Sequence, residues 1–355
     1  MDQIILVINP GSTSTKLAVY RNDTQTHTAS LHHSSAELAG FSDIVEQKSF
    51  REELIIEWLK KEGIPLGSLT AIVARGGLLA PIPGGTYNIS STMVEHMASG
   101  RYGKHASNLA GLIAYKLSQR LQIPSFIVDP VVVDELEPVA RISGNPQCER
   151  ISIFHALNQK ANAKKYALQL GKPYEELNLI VAHLGGGISV GAHQQGRVVD
   201  VNNALSGEGP FSPERVGSLP TQGLVDYFFD HSFTKAELMK KFVGGSGLVA
   251  HLGTNDSREI VARMHDGDEV AQFYFQTMCY QISKEIGRIS TVLCGKVDQI
   301  ILTGGLAYSI ELVEEVRKRV DFIAPVSVLP GENELEALAF GALRVLTGVE
   351  KAQVY

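Results

Sequence analysis

Two glycine-rich turns, each enclosed by apolar runs, most constrain how this chain of 355 residues can fold. The first is IILVINPGSTSTKLAVY at residues 4–20, and the second is NLIVAHLGGGISVGA at residues 178–192. An apolar run that breaks at a short polar or glycine-rich segment and then resumes predicts a strand, a tight turn and a second strand. Because this pattern occurs twice, we expect two related halves.

The composition of the turns indicates phosphate binding. Glycine lets the backbone turn tightly and approach an anion, while hydroxyl and N–H groups donate hydrogen bonds and lysine adds positive charge. The first turn alone would also fit a plain solvated hairpin, but its repetition favours a functional role. The predicted phosphate-binding residues are Gly11, Ser12, Thr13, Ser14, Lys16, His183, Gly185, Gly186 and Gly187.

Composition limits the class of protein. A hydrophobic content of 44% over 355 residues allows two sizeable cores, which favours two domains. The formal net charge of −6 provides no basic field for nucleic acid. Cys148, Cys279 and Cys294 are widely spaced, so we expect buried, reduced thiols. Without a signal segment or an apolar stretch of membrane-spanning length, we expect a cytoplasmic enzyme with no membrane partner.

Alternating strand and helix patterns predict an α/β fold. The predicted strands are 71–75, 125–129, 179–183, 188–193 and 298–303, and the predicted helices are 49–61, 106–121, 151–170 and 310–320. We place a domain boundary near residue 150, before an amphipathic helix that leads into the second turn. Along residues 267–293 an apolar face recurs every three or four residues, which predicts core packing or, as the alternative, a subunit interface.

A third motif connects the two turns to a known architecture. In VDQIILTGGLAY, residues 297–308, an apolar strand ends at Gly304 and Gly305. The three motifs together resemble the actin, sugar kinase and Hsp70 superfamily. The resemblance implies two ribonuclease-H-like domains that hold a nucleotide in a cleft between them, with the adenosine near these two glycines.

Within that superfamily the chain resembles the acetokinase family nearly end to end. The motifs that carry the resemblance are INPGSTSTK at 8–16, VARGGLLAPIPGGTY at 73–87, GKHASNLAG at 103–111, FIVDPVVVDEL at 126–136, RISIFHALNQKA at 150–161, AHLGGGISVGAH at 182–193, SGEGPFSPERVGSLP at 206–220 and ILTGGLAYS at 301–309. Pro210, Pro213 and the following Val-Gly-Ser-Leu-Pro favour the branch of the family that acts on butyrate and branched-chain acids.

The resemblance implies reversible transfer of the γ-phosphoryl group of ATP to a short-chain carboxylate, giving ADP and an acyl phosphate, with Mg²⁺ as cofactor. It also implies a first domain of residues 1–150 completed by a C-terminal helix at 334–355. The second domain, residues 151–333, would then carry the contacts of a homo-oligomer. A carboxylate is already ionised at neutral pH and needs no general base, but cations must offset its repulsion from the triphosphate.

The family pattern assigns roles to several further residues. Arg75 and Arg215 would bind the carboxylate and the transferring phosphoryl group, for which the planar, permanently charged guanidinium is well suited. His155 would donate to the phosphoryl oxygens. His105 matches a family histidine near the substrate.

The remaining family positions concern the metal. Asp129 would anchor Mg²⁺ directly or through water, and Asn9 would reach the phosphoryl group or the metal's ligands. Glu334 is the predicted second carboxylate, although Glu332 and Glu336 lie close enough in sequence to be alternatives.

Other functions stay open at this point. An acetate or propionate kinase differs only in the acid, a sugar kinase could use Asp129 as a base, and a chaperone-like or actin-like switch would hold ATP without transferring its phosphate to an acid. A dehydrogenase is not expected, because GSGLVA at 245–250 follows no apolar strand and lacks the βαβ unit.

Overall fold

The structure, a computed structural model, describes residues 2–205 and 207–355. Ser206, the first residue of the motif at 206–220, lies outside the described residues. The chain forms two compact units, of which the first comprises residues 2–134 with 333–355 and the second residues 135–332. Among the helices described, none has the length and apolar character needed to cross a membrane.

The first unit contains a mixed sheet. Its described strands are β1 (Ile4–Pro10), β2 (Ser14–Arg21), β3 (Thr24–His32), β4 (Ala71–Arg75), β5 (Thr86–Asn88) and β6 (Ser125–Val128), in the spatial order β3-β2-β1-β4-β6-β5. β1 pairs antiparallel with β2 and parallel with β4, and β4 pairs parallel with β6. Residues 5–8 of β1 are buried on both faces, as expected for a central strand.

The second unit contains a similar sheet. Its described strands are β7 (Asn178–Leu184), β8 (Ile188–Gln194), β9 (Arg197–Val201), β10 (Gln299–Gly304) and β11 (Val326–Pro330), in the order β11-β10-β7-β8-β9. Each sheet thus has three antiparallel strands followed by two parallel ones, with a glycine-rich turn between its first two strands. This repeated order confirms the prediction of two related halves.

Helices cover the sheets of both units. In the described residues they are α1 (Ser35–Leu38), α2 (Gln47–Lys61), α3 (Ser91–Ser99), α4 (Ala106–Leu121), α5 (Pro138–Arg141), α6 (Ala156–Leu170), α7 (Thr221–His231), α8 (Lys235–Gly244), α9 (Leu248–Leu252), α10 (Ser257–His265), α11 (Glu269–Val292), α12 (Ile310–Val320) and α13 (Glu334–Leu346). α13 belongs to the first unit and packs on β1, β4 and β6.

Each unit has its own hydrophobic core. The predicted apolar face of α11 is buried in the core of the second unit, so the expectation of core packing is confirmed. Its members are Ala271, Phe275, Met278, Ile282, Ile286 and Ile289, with Leu293 just beyond the helix. The helix packs against β7, β8 and β9, where the burial of these side chains stabilises the sheet.

The boundary predicted near residue 150 is wrong, because the described chain passes into the second unit at residue 135. The Glu135 carboxylate accepts hydrogen bonds from the Lys160 ammonium at 2.9 Å and from the Val198 N–H at 2.7 Å. The Glu137 N–H donates to the carbonyl of Val199 at 3.0 Å. These contacts attach residues 135–150 to the second sheet, and residue 333 correspondingly belongs to the first unit.

Two predicted helices also differ from the structure. The helix predicted at 151–170 begins only at Ala156, because Arg150 binds Asp200 and Glu208 and the chain continues without helical structure to His155. The helix predicted at 334–355 ends at Leu346. Beyond it, Gln353 exchanges backbone hydrogen bonds with Thr86 and Asn88.

The expectation of buried cysteines holds only for Cys279. Burial and, secondarily, the charge of Glu315 raise the pKa of its thiol to about 12. Cys148 and Cys294 are exposed, and all three cysteines are free thiols.

Candidate active site

In the first unit, predicted site residues lie where neighbouring parallel strands end. Asn9 is near the end of β1, Arg75 ends β4, and Asp129 follows β6. The carboxyl ends of parallel strands meet at one edge of a sheet, which is the usual position of ligand sites in α/β proteins. The sheet therefore brings three residues that are far apart in sequence to a common edge.

Arg75 and Asn9 contact the predicted carboxylate Glu334. The Arg75 Nη1 lies 2.9 Å from the Glu334 Oε1, and the Asn9 Nδ2 donates to the Glu334 Oε2 at 2.7 Å. The Arg75 Nη1 also approaches the Asn9 Oδ1 at 3.5 Å. The Arg75 side chain remains 41% exposed, so another anion can still approach it.

Of the three neighbouring glutamates, the structure places Glu334 with Asn9 and Arg75. Glu334 begins α13, after Asn333 adopts a left-handed conformation with φ of 39°. Glu332 belongs to the second unit. Glu336 instead lies near Tyr20. Burial and the charge of the Glu336 carboxylate raise the pKa of Tyr20 to about 12.

Asp129 is 2% exposed and has a left-handed φ of 37°, which ends the strand one residue earlier than predicted. The Asp129 Oδ1 accepts a hydrogen bond from the Gly85 N–H at 2.7 Å, and the Asp129 N–H donates to the Gly85 carbonyl at 3.0 Å. This exchange fixes the position of the carboxylate. A left-handed conformation in a non-glycine residue costs free energy and is concentrated at functional sites.

The glycine pair after Arg75 serves close packing. A Cβ at Gly76 would lie 2.4 Å from the Pro130 Cβ, and one at Gly77 would lie 2.6 Å from the Asn108 Oδ1. Neighbouring atoms therefore fill the space beside both positions, and a side chain at either one would clash.

His105 is the N-cap residue of α4. Its Nδ1 accepts a hydrogen bond from the Ser107 N–H at 3.2 Å and lies 2.8 Å from the Ser107 Oγ. Desolvation and the positive charge of Arg75 lower the pKa of His105. Both effects disfavour the protonated form of this imidazole.

The first glycine-rich turn is held from behind by Arg51, a residue of α2 that sequence reasoning missed. Its Nη1 donates to the carbonyls of Gly11 at 2.8 Å and Ser14 at 3.0 Å, and its Nη2 donates to the carbonyl of Ser12 at 2.9 Å. The only sequence signal is a single arginine within a predicted helix. Such an arginine most often forms an ion pair at the surface, so the sequence does not single it out. Lys16, on β2, is exposed and pairs across the strands with Asn9.

Beneath the second turn lie two stacked histidines. The rings of His155 and His183 are 3.8 Å apart with an interplanar angle of 14°. The His183 Nδ1 lies 2.8 Å from the Asn158 Oδ1, and the His155 Nδ1 lies 2.9 Å from the Ser189 Oγ. Burial, followed by the charge of Arg215, lowers the pKa of His183 to about 3, so this ring is neutral at neutral pH.

Arg215 lies directly against the second turn. A Cβ on Gly187 would be 1.9 Å from the Arg215 Nη1, so only glycine leaves room for the guanidinium. The same Nη1 donates to the carbonyl of Ala204 at 2.7 Å. The buried Nε has no hydrogen-bond partner among the described residues. An unpaired buried donor costs free energy, so its retention beside the second turn is consistent with a functional role for this arginine.

The third motif forms one wall of a cavity of about 380 Å³ in the second unit. Gly304 has a φ of 88°, and a Cβ there would lie 2.3 Å from the Leu184 carbonyl oxygen. The cavity is lined by predicted residues of the second turn and of the third motif together with residues around the start of α10, which carry no recognisable sequence signal: Gly185, Gly186, Pro213, Asn255, Asp256, Ser257, Arg258, Gly305, Leu306 and Glu332. Its volume suits a small organic ligand.

Metal ligation can be judged from the donor atoms. No group of three or more histidine, cysteine, aspartate or glutamate side chains occurs with metal-binding geometry in the part of the chain that the structure describes. Mg²⁺ uses few protein carboxylates and completes its coordination with water and substrate phosphates. The carboxylates of Asp129 and Glu334 are of the appropriate type, so the residues present fit such an ion.

The chain is similar to known proteins along its whole length. The family model described as "Acetokinase family" matches residues 150–330. A protein of Clostridium botulinum (strain Eklund 17B / Type B) named "Probable butyrate kinase" is 51% identical over 355 residues, which covers both chains completely.

Solved structures show the fold. The acetate kinase of Porphyromonas gingivalis superposes with a TM-score of 0.77 at 18% identity, covering 98% of this chain and all of the other. A propionate kinase from Francisella tularensis subsp. tularensis has a TM-score of 0.72 at 17% identity, covering 95% and 98% of the two chains. The predicted α/β fold class is therefore confirmed. The full-length identity and the family match lead to the same conclusion: the chain belongs to the acetokinase family.

Proposed function

We propose that the chain is an ATP-dependent carboxylate kinase of the butyrate kinase type. It would reversibly transfer the γ-phosphoryl group of ATP to a short-chain or branched carboxylate and form ADP and an acyl phosphate. The observation that carries the proposal is that each unit places an arginine beside a predicted site residue, Arg75 at 3.5 Å from the Asn9 Oδ1 near the end of β1 and Arg215 against Gly187 of the second glycine-rich turn. The name of the Clostridium botulinum relative supports butyrate as the acid.

Arg75 suits the role of carboxylate receptor. Its contact with Glu334 orients the guanidinium, while the side chain as a whole stays 41% exposed. An ionised carboxylate needs no base to become a nucleophile, whereas it does need a cation to approach a triphosphate. A neutral sugar hydroxyl would have the opposite requirements, so the arginines favour an acid as substrate.

Arg215 and His155 suit the transferring phosphoryl group. The unpaired Nε of Arg215 is a buried, permanently charged donor at the second turn. His155 is oriented by Ser189 and stacks on His183. Charge in the transition state spreads over the phosphoryl oxygens, and preorganised donors at that point lower the barrier.

The nucleotide would use the three glycine motifs. We propose that the adenosine occupies the cavity next to Gly305 and that the phosphates contact the two glycine-rich turns, at Gly11, Ser12, Thr13 and Ser14 and at Gly185, Gly186 and Gly187. This assignment requires both units to contribute to one reaction. Mg²⁺ would be held by Asp129 and Glu334, with Asn9 nearby, and would supply neutralisation of the phosphate charge.

A homo-oligomer is also part of the proposal. Helices α7 and α8 of the second unit bury none of their side chains. Phe228, Phe229 and Met239 on these helices are exposed large apolar residues. The Phe228 and Phe229 rings lie 5.3 Å apart, and neighbouring exposed apolar side chains often mark an interface.

A hydroxylamine trap tests the reaction class. With ATP, Mg²⁺ and butyrate, the purified protein should produce butyryl hydroxamate, because hydroxylamine reacts with acyl phosphates. Reactions without butyrate and reactions with Arg75→Ala serve as controls. ATP consumption without hydroxamate would identify an ATP-driven switch, and transfer of the phosphoryl group to an added sugar with no hydroxamate from butyrate would identify a sugar kinase; either result would refute the proposal.

A further inference from the structure

Arg51 is a buried cation that neither the family motifs nor the proposed reaction accounts for. Its side chain is fully buried, and its donors are directed at the carbonyls of Gly11, Ser12 and Ser14. The Nη1 also lies 3.2 Å from the Thr15 Oγ1. Gln47, one helical turn earlier, accepts from the Arg51 Nε at 3.1 Å and from Nη2 at 2.8 Å.

These contacts determine the orientation of the turn. In a trans peptide the carbonyl and the following N–H point in opposite directions. Because the carbonyls of Gly11 and Ser12 face Arg51, the N–H groups of Ser12 and Thr13 face away from it. Both of these residues are exposed, and their N–H groups donate to no acceptor among the described residues. Successive N–H groups presented in this way form an anion-binding concavity.

The charge of Arg51 is also uncompensated. Its hydrogen-bond acceptors are carbonyl oxygens, the Gln47 amide and the Thr15 hydroxyl, and no carboxylate contacts it among the residues that the structure describes. Removal from water without a counter-ion lowers the pKa of this arginine to about 10, so it remains protonated at neutral pH. A buried charge is screened less than a surface charge, so it acts over the short distance to an anion at the turn.

We propose that Arg51 is the positioning residue of the first phosphate-binding turn. It holds the turn so that the N–H groups of Ser12 and Thr13 face outward, and it adds positive charge behind them. The inference deepens the proposed function, on which it rests for the identity of the anion as the phosphates of ATP. It assigns Arg51 no contact with the substrate. Replacing Arg51 should therefore weaken binding of the phosphates and leave the adenosine contacts of the second unit intact.

The test compares the affinities for ATP and AMP, measured by calorimetry. Arg51→Gln should weaken ATP binding about tenfold or more, because the turn loses its orientation and its charge. AMP binding should change by less than about twofold, since its contacts would be mainly those of the cavity. Arg21→Gln is the charge-matched control, since Arg21 is an exposed residue at the end of β2 whose ion pair with Asp2 is at the surface. This control should keep the wild-type affinity ratio.

Gln47→Glu separates charge from geometry and covers the case in which Arg51→Gln does not fold. It keeps an acceptor for Arg51 but adds a compensating carboxylate, so ATP should again be weakened relative to AMP. An unchanged ATP-to-AMP affinity ratio in folded Arg51→Gln, or in Gln47→Glu when Arg51→Gln is unfolded, overturns the proposal. Failure of the proposed function would instead appear in the wild-type protein, as absence of hydroxamate.

Discussion

At the scale of single residues, Arg75 and Arg215 differ in their surroundings. Arg75 is half-exposed and paired with Glu334, whereas Arg215 is packed against Gly187 with a donor unpaired. An exposed ion pair by itself contributes little to stability. We therefore expect the main effect of removing Arg75 on turnover rather than on folding, whereas removing Arg215 also removes its packing against Gly187 and its hydrogen bond to Ala204.

Arg75→Ala and Arg215→Ala should each lower kcat roughly a hundredfold or more, because a cation aimed at developing charge is lost. ATP affinity should change much less. The lysine variants should fall between wild type and alanine, since lysine restores the charge without the two-pronged geometry. Steady-state kinetics, calorimetry and circular dichroism measure these effects. Near-wild-type turnover in a folded alanine variant would reduce that arginine to a structural role.

The buried His183 should make the free energy of unfolding depend on pH. Its pKa is about 3 in the folded protein and about 6.5 in an unfolded chain. Between these values the unfolded state binds the extra proton, so this histidine makes the free energy of unfolding fall as pH decreases below 6.5. Above pH 6.5 the histidine is neutral in both the folded and the unfolded state, so it no longer lowers the free energy of unfolding.

His183→Gln should make the pH dependence of unfolding shallower by up to about 1.4 kcal/mol per pH unit between pH 4 and 6. Urea unfolding at a series of pH values measures the slope, with His231→Gln as a control at an exposed histidine. Equal slopes in wild type and His183→Gln would show that the buried ring is not the group being titrated.

At the scale of elements, the end of β10 shows how a close backbone approach shapes a site. Gly304 combines a φ of 88° with a Cβ position 2.3 Å from the Leu184 oxygen, whereas a Cβ on Gly305 meets no atom within 4 Å. The backbone therefore requires glycine at position 304 and leaves space for a side chain at position 305.

Gly304→Ala should destabilise the protein by roughly 1–3 kcal/mol or more, through the strained φ and the clash with β7. Gly305→Ala is the matched control and should unfold close to the wild-type temperature. Thermal unfolding followed by circular dichroism compares the two. Equal unfolding temperatures would mean that β7 and β10 can separate to accommodate a methyl group.

At the scale of the whole molecule, the preference among short acids is measured by the ratio of their kcat/KM values. One methylene in an apolar pocket changes specificity by about 10- to 200-fold. Measured as kcat/KM across acetate, propionate, butyrate, isobutyrate and valerate, the enzyme should prefer a four-carbon or branched acid to acetate by at least about tenfold. A preference for acetate would change the assigned substrate while preserving the reaction class.

The sequence by itself determined the features that arise from local pattern. The two turns and their flanking strands follow from apolar runs broken by glycine, and the core face of α11 follows from helical periodicity. The positions of Asn9 and Arg75 at strand ends were predictable for the same reason. Local periodicity was sufficient because each of these features depends on residues a few positions apart.

Only the tertiary structure decided the features that depend on distant contacts. Arg51 reaches the first turn from 40 residues away, and Glu334 meets Asn9 from 325 residues away. The division of the chain at residue 135 follows from the contacts of Glu135 with Lys160 and Val198. A linear pattern carries no record of which side chain closes such a contact, because the packing of separate elements against one another determines it.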